Sequence, residues 1–319
     1  MHHLPSCSRT WKRGVTLLNV LITGGAGFIG SHLTEKALAR GHNVCVLDNE
    51  STGRRSNLPP DVDYHCLDIS CEPLLDRFEQ ARPEVVVHLA AQSSVPSSVK
   101  NPLADALTNV IGTLHVWEAA RLAGVRKVIF ASTAAVYGDV STFPIKEEWA
   151  GRLLSPYAVS KYAAERYLEL FQQHCGLSYT IFRFANVYGP RQVPKSDGGV
   201  VACFLETVRN GAPLHIHGDG EQTRDFIHVE DVTEAIILAF ERGDNTVCNL
   251  STGTPTTINT LADVLQAIVG RPIQRRYGPA RPGDIRHSFL CNEKLVNTFQ
   301  WSPRVSLREG LEHTWLHRA

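Results

Sequence analysis

No pair of cysteines in this 319-residue chain has C-x-x-C spacing, and no Cys/His cluster has zinc-finger spacing. The eight cysteines (Cys7, Cys45, Cys66, Cys71, Cys175, Cys203, Cys248 and Cys291) are scattered. Cys45 and Cys203 lie inside apolar runs, where a free thiol behaves as a small hydrophobe. No metal site is expected, and a reducing cytoplasm is the expected setting. No apolar run approaches the ~20 residues that a bilayer-spanning helix needs, so no membrane partner is expected. Charge of one sign is not in excess: Lys+Arg and Asp+Glu are equal at 32 each. That balance gives no support for a nucleic-acid partner. Internal repeats and low-complexity segments are absent. Residues 1–16 lack an apolar period and the apolar h-region of a signal peptide. A disordered N-terminal arm is expected there, with packing through Trp11 as the alternative.

What is present is an alternation. One hydrophobic core stops growing at roughly 250–300 residues, so one large domain with a smaller lobe, or two domains, is expected. Short apolar runs rich in β-branched residues predict strands at 17–23, 43–47, 61–67, 84–90, 126–131 and 178–184. Helical periods follow the glycine stretch 24–30 as far as Ala39 and recur at 103–123 and 156–175. Strands that are apolar along their length and alternate with helices indicate an α/β fold with a parallel sheet covered on both faces. Proline and glycine punctuate the second half. Residues 17–185 are read as the main unit and 186–319 as mainly a smaller lobe, some segments of which return to the sheet.

The glycine stretch reads Gly24-x-x-Gly27-x-x-Gly30 between a predicted strand and a predicted helix. Glycines there permit a tight turn and close approach of a pyrophosphate to the helix N-terminus. Asp48 ends the second strand within the usual ~20 residues of that loop, where a carboxylate can hold both ribose hydroxyls. Its charge repels a 2′-phosphate and favours NAD over NADP; Arg54 and Arg55 are the contrary sign. Asp68 ends the third strand, either meeting an adenine amino group or capping the next helix. His88 ends the fourth and reads best as a satisfied core histidine. Small residues at Ala90 and Ala91, before Gln92, let backbone lie against a cofactor.

Ser132 and Thr133 leave the fifth strand at the end where doubly wound sheets bind ligands, and either hydroxyl could hold a reacting oxygen. Tyr157 and Lys161, four residues apart, share a helix face. Ser155 can cap that helix, and Pro156 suits its first turn. A free phenol ionises near pH ~10, and a neighbouring ammonium lowers that value. The pair is therefore expected to take a proton from a sugar or alcohol hydroxyl.

With TGGAGFIG, the Asp48-Asn49-x-Ser51-Thr52-Gly53 run, HLAAQ, STAAVYG, Tyr157-x-x-x-Lys161 and the segment from Asn186 to Arg191 in this order, the chain resembles the extended short-chain dehydrogenases/reductases. Within them it is most similar to the UDP-glucose/UDP-galactose type of nucleotide-sugar 4-epimerase. The resemblance implies a Rossmann-like doubly wound parallel sheet with a smaller C-terminal substrate-binding lobe. It implies that NAD meets Gly24, Gly27, Phe28, Ile29 and Gly30, then Asp48, Asn49, Ser51, Thr52 and Gly53. Further NAD contacts are implied at Asp68 and Ile69, at Leu89, Ala90, Ala91 and Gln92, and at Asn109, Tyr157 and Lys161. Thr133, with Ser132 beside it, would steady the sugar 4-oxygen while Tyr157 takes its proton. The sugar nucleotide would meet Ser93, Ser94 and Asn186, with Gly199, Val200, His215, Ile216 and His217 around the base. Arg224 and Arg281 would neutralise the diphosphate, and Asp284 would lie near the ribose. A small residue at Ser288 implies room for an N-acetyl group.

Sugar 4,6-dehydratases that resemble this chain carry an acidic pair just after the threonine, and glucuronate decarboxylases keep a glutamate near the same point. Here those positions are Ala134 and Ala135. Val193, where glucuronate-selective epimerases tend to carry a base, argues for a neutral sugar. Relatives dimerise through two long helices, which here are 103–123 and 156–175, so a homodimer is expected. Another enzyme of the superfamily (dTDP-sugar or UDP-uronate epimerase, decarboxylase, dehydratase or reductase) and a non-catalytic NAD-binding sensor stay open as alternatives.

Overall fold

Val20 and Ile22 pack into one hydrophobic cluster with Leu33, Ala37 and Phe240, while Leu21 between them packs into another with Phe78, Trp117 and Leu168. A strand with side chains alternating between two cores is covered on both faces. The computed structural model describes residues 17–71, 73–194, 199–281 and 285–317, so the expected 1–16 arm lies outside the described residues. Its large sheet holds β1 (Asn19–Thr23), β2 (Asn43–Asp48), β3 (Asp63–Cys66), β4 (Val85–His88), β5 (Lys127–Thr133) and β6 (Ser178–Phe184). The small lobe contributes β7 (Asn186–Tyr188), β8 (Leu214–His217) and β9 (Thr223–His228). Then β10 (Thr246–Leu250) returns to the large sheet, and β11 (Pro255–Thr257), β12 (Arg275–Gly278) and β13 (His287–Ser288) follow.

The large sheet runs β10-β6-β5-β4-β1-β2-β3, and every pair in it is parallel. The order turns back between β1 and β4. That turn opens a crevice beyond Thr23 and His88, the place where doubly wound sheets take ligands. Helices α1 (Phe28–Ala39), α2 (Leu75–Ala81), α3 (Val95–Lys100), α4 (Pro102–Ala106), α5 (Thr113–Leu122) and α6 (Pro156–Cys175) belong to the first half. In the second half are α7 (Val200–Arg209), α8 (Val229–Leu238), α9 (Ile258–Val269), α10 (Glu293–Phe299) and α11 (Leu307–Leu316). The expected 103–123 helix is present but not uniform: a π-helical stretch, Leu107–Gly112, joins α4 to α5. Helix α6 begins and ends as its sequence dictates. Ser155 Oγ accepts from Ala158 N, Pro156 opens the first turn, and Gly176 stops the helix in a left-handed conformation.

A third core, including Phe204, Leu214, Phe226, Leu261, Leu265 and Leu311, fills the small lobe. Its sheets are β11-β9-β13, with β7 also on β9, and β12-β8. The small lobe thus stands beside the β5–β6 end of the crevice, tied back by β10.

Candidate active site

Gly24 leaves β1 with φ +70°, and a Cβ there would stand 2.6 Å from the amide nitrogen of Ala90. A Cβ on Gly30 would collide with the Gly24 carbonyl. Helix α1 starts at Phe28 with no side-chain cap and no acid in its first turn. The positive end of its dipole therefore has no anion from its own first turn. Asp48 is 7% exposed; its Oδ2 accepts from Ala26 N at 3.0 Å and its Oδ1 from Glu50 N at 2.8 Å. Burial raises its pKa, and these N–H groups work against that rise. The carboxylate is thus anchored to the glycine loop with its charge at the strand end.

Arg55 donates to the carbonyls of Leu58, Pro59 and Pro60 and packs over the Tyr64 ring. It is engaged within its own loop, whereas the Arg54 side chain is exposed. Asp68 does not cap the next helix, α2, which has no side-chain cap; its Oδ1 accepts from Ser70 N and Oγ, and its Oδ2 from Asn49 Nδ2 at 2.8 Å. Ile69 is buried, and its carbonyl accepts from His115 Nδ1. Leu89, Ala90, Ala91 and Gln92 follow β4 half-buried along the crevice. A backbone cradle that excludes Cβ atoms, an uncapped helix N-terminus and an acid at the β2 end fit a dinucleotide.

Tyr157 and Lys161 stand one turn apart on α6, facing β5. Lys161 is 3% exposed; its Nζ donates to Ala131 O at 2.9 Å and lies 4.8 Å from the Phe130 ring centroid. Burial lowers its pKa to about 8, against the raising fields of Asp105 and Glu165. Thr133 Oγ1 accepts from Ala135 N at 3.1 Å, which leaves its proton to donate, and a hydrogen bond from Thr133 favours the Tyr157 phenolate.

Two expectations need correction. Burial, the largest effect, pushes the Tyr157 phenol up to about 12, not down, and the Lys161 ammonium is spent on a carbonyl of β5. Only the Thr133 hydrogen bond opposes that rise, Asp105 adds to it, and Lys161 is not among its causes. Ser132 is also set apart. Successive strand side chains point to opposite faces, and Ser132, 3% exposed, donates to Glu165 Oε1, further along α6 than Tyr157. Thr133 alone of the two hydroxyls joins the pair. His88 is the satisfied core histidine: Nδ1 meets Thr23 Oγ1 at 2.6 Å and Nε2 meets Thr113 Oγ1 at 3.0 Å.

On the small-lobe side, Ser94 caps α3 and its N–H donates to Gln92 Oε1; Ser93 precedes it. Asn186 opens β7 and is exposed. Gly199 and Val200 begin α7. His215 and His217 stack 5.6 Å apart along β8, flanking buried Ile216. Arg224 on β9 pairs in register with Ser288 on β13, and Arg281 is exposed beyond β12. Asp284 lies outside the described residues.

The profile of the NAD dependent epimerase/dehydratase family matches residues 20–251, a span that ends just past β10. This chain belongs to the NAD dependent epimerase/dehydratase family. It is 40% identical over 304 residues to a UDP-glucose 4-epimerase of Mycolicibacterium smegmatis, covering 93% of this chain and 97% of that one. A Thermotoga maritima UDP-glucose 4-epimerase solved with UDP-glucose is 46% identical with TM-score 0.90, over 92% of this chain and 96% of its own. A Thermus thermophilus UDP-glucose 4-epimerase in complex with NAD is 42% identical with TM-score 0.87, over 92% and 97%.

In this epimerase/dehydratase-family cleft, sequence reasoning missed two polar networks. Asn109 was expected as a cofactor contact; its Nδ2 donates to Gln92 O, Asp105 Oδ1 and Ser160 Oγ, and its Oδ1 accepts from Gln92 N. Behind the cleft, Arg183 pairs through two nitrogens with Glu165 and also reaches Tyr137 Oη and Glu147 O. Their only sequence signal is a polar residue inside an apolar run, as with Arg183 in β6.

Proposed function

We propose that this chain catalyses NAD-dependent 4-epimerisation of a nucleotide sugar, with UDP-glucose/UDP-galactose or their N-acetyl forms as substrates. The observation that carries the reading is local. Thr133, Tyr157 and Lys161 converge on the crevice next to the dinucleotide cradle, and the residues directly after Thr133 are Ala134 and Ala135. Elimination of water would call for an acid and a base at that point, and the resemblance implies a glutamate there in decarboxylases. Without one, the site is left with proton and hydride exchange. The cradle that fits a dinucleotide, and UDP-sugar 4-epimerases at 40% and 46% identity across nearly the whole chain, support the same reading.

NAD, when bound, supplies the hydride acceptor and then the donor. The chain's own residues do the rest. Thr133 Oγ1 donates to the sugar 4-oxygen. Tyr157 Oη takes the 4-hydroxyl proton as the C4 hydrogen leaves, and returns it once the 4-keto sugar has presented its other face. Lys161 supplies the positive charge that the buried phenolate needs. Asp48 holds the adenosine ribose. Arg224 and Arg281 hold the diphosphate through donor forks matched to phosphate oxygens, and His217 stacks on the base. Residues 17–185 form the cofactor-holding unit and 186–319 mainly the sugar-nucleotide grip.

Incubating purified protein with a panel of UDP- and dTDP-sugars, with products read by NMR, tests the reading. Interconversion of UDP-glucose and UDP-galactose without net consumption of NAD is expected. A dehydrated or decarboxylated product, or no turnover of any sugar, would overturn it. Turnover of UDP-N-acetylglucosamine would support the room assigned to Ser288.

The working unit is read as a homodimer. Leu103, Leu107 and Ile111 recur at helical spacing and are 69%, 46% and 41% exposed, and Val159 and Leu170 on α6 are 51% and 45% exposed. An apolar stripe across the two expected helices supports a self-complementary interface. Leu103→Asp should give a monomer by sedimentation. Among the described residues no helix is long and apolar enough to cross a membrane. The seven described cysteines are free, which supports the cytoplasm as the setting.

A further inference from the structure

Asp105 takes no part in the steps above, yet it is 1% exposed beside the residues that do. Its Oδ1 accepts from Gln92 Nε2 at 2.8 Å and from Asn109 Nδ2 at 3.1 Å. Its Oδ2 is buried and has no hydrogen-bond partner. A buried carboxylate oxygen left unpaired costs stability, so its retention asks for a function.

The neighbours show which. Gln92 ends the run along the crevice after β4. Asn109 reaches Ser160 Oγ at 3.2 Å, on α6 between Tyr157 and Lys161. It lies in the π-helical stretch Leu107–Gly112, a local widening that proteins place at functional sites. The Tyr157 amide is held by Ser98 Oγ at 3.1 Å, so both ends of this turn of α6 are pinned by α3 and the α4–α5 run.

Three other titratable groups face the pair. Glu165 on α6 is paired with Arg183 on β6, and its field raises the pKa of Lys161 but less than the field of Asp105 does. His88 on β4 is kept neutral by burial and by Lys161. Asp105 has no cationic partner among the described residues, and its field raises the pKa of both Tyr157 and Lys161.

We propose that Asp105 is a positioning residue for the Tyr157–Lys161 pair: its held oxygen sets Gln92 and Asn109 against α6, and its open oxygen keeps a negative field on the pair. Lys161 thereby stays cationic in a site dry enough to discharge it. The inference rests on the roles given above to Tyr157 and Lys161.

The test is a titration of Lys161 by NMR in protein carrying 13Cε-lysine, the resonance being assigned by its loss in Lys161→Met. Asp105→Asn keeps an oxygen for Gln92 and Asn109 but removes the charge. Its Lys161 pKa should fall below the parent's by at least about 0.5 pH unit, and kcat on UDP-glucose should fall roughly 10- to 100-fold. Asp105→Ser, also an uncharged acceptor, should shift Lys161 in the same direction. An unmoved Lys161 titration in either folded variant overturns the inference, as does failure of both to fold, which would make Asp105 a framework residue. If the parent protein turns over no UDP-sugar, the epimerase reading falls, and the titration still decides the role of Asp105.

Discussion

Two buried charged clusters adjoin on one face of α6, a front one around Lys161 and a rear one around Glu165, four residues further on. In the rear one, Ser132, Glu165 and Arg183 are 3%, 0% and 3% exposed, and the two charges cancel through paired hydrogen bonds. In the front one, Lys161 has one carbonyl and an aromatic face, and Asp105 leaves an oxygen unpaired. Sequence, burial and depth are alike; completeness of pairing is not. The rear cluster spends its charge on joining β5, α6 and β6. The front cluster keeps charge in reserve for something the chain does not itself supply. A buried ionic group without a full set of partners is the better marker of chemistry.

The sharpest break between the two is Tyr157→Phe. Removing one hydroxyl should lower kcat by about 10³-fold or more, while the melting temperature stays within a few degrees of the parent's. A variant that kept its turnover would end the reading of Tyr157 as the base. Glu165→Ala should do the reverse. It strands a buried guanidinium, which costs about 3–5 kcal/mol, and should lower Tm by roughly 10 °C. If calorimetry finds Tm unchanged, the rear cluster is not the framework described here.

Lys161→Met comes next, with an effect of opposite sign. The folded chain holds the Lys161 proton less tightly than the unfolded chain, with a pKa near 8 against 10.5. Stability therefore rises with pH between those values and is lowest below about 8, where the charge must be buried. Lys161→Met should abolish epimerisation yet raise Tm at pH 7 by a few degrees, and flatten the dependence of Tm on pH from 8 to 10. A lower Tm in this variant would mean that Lys161 is as fully paired as Arg183.

Much of this was legible without coordinates. The glycine spacing, the β1–β6 runs and the Ser155–Pro156 start of α6 follow from local rules, since each depends on residues close in sequence. What was not legible depends on distant partners. The strand Thr246–Leu250 carries a polar Asn249, which is fully buried because Tyr137 Oη and the carbonyls of Ile145 and Cys291 satisfy it. The direction of the Tyr157 shift was misjudged for the same reason: spacing shows Lys161 near by, but only packing shows how dry the site is. Asp105 reads as an ordinary helical acid until Gln92 and Asn109 close over it.

The smallest contrast concerns two arginines. Arg55 lies near the ribose end of the dinucleotide cradle and is, with Arg54, the sign against NAD, but its guanidinium already serves three carbonyls of its own loop. Arg281 is exposed beside the small-lobe strands. By the rule of completeness, only the second is held for a ligand. Arg281→Ala should raise KM for UDP-glucose about tenfold, the loss of one charge-assisted pair, with kcat little changed. Arg55→Ala should leave the preference for NAD over NADP within about twofold of the parent's, because a guanidinium tied to backbone carbonyls offers a 2′-phosphate nothing it must give up. A larger swing for Arg55 than for Arg281 would show that full pairing in the free chain does not keep a charge out of ligand binding.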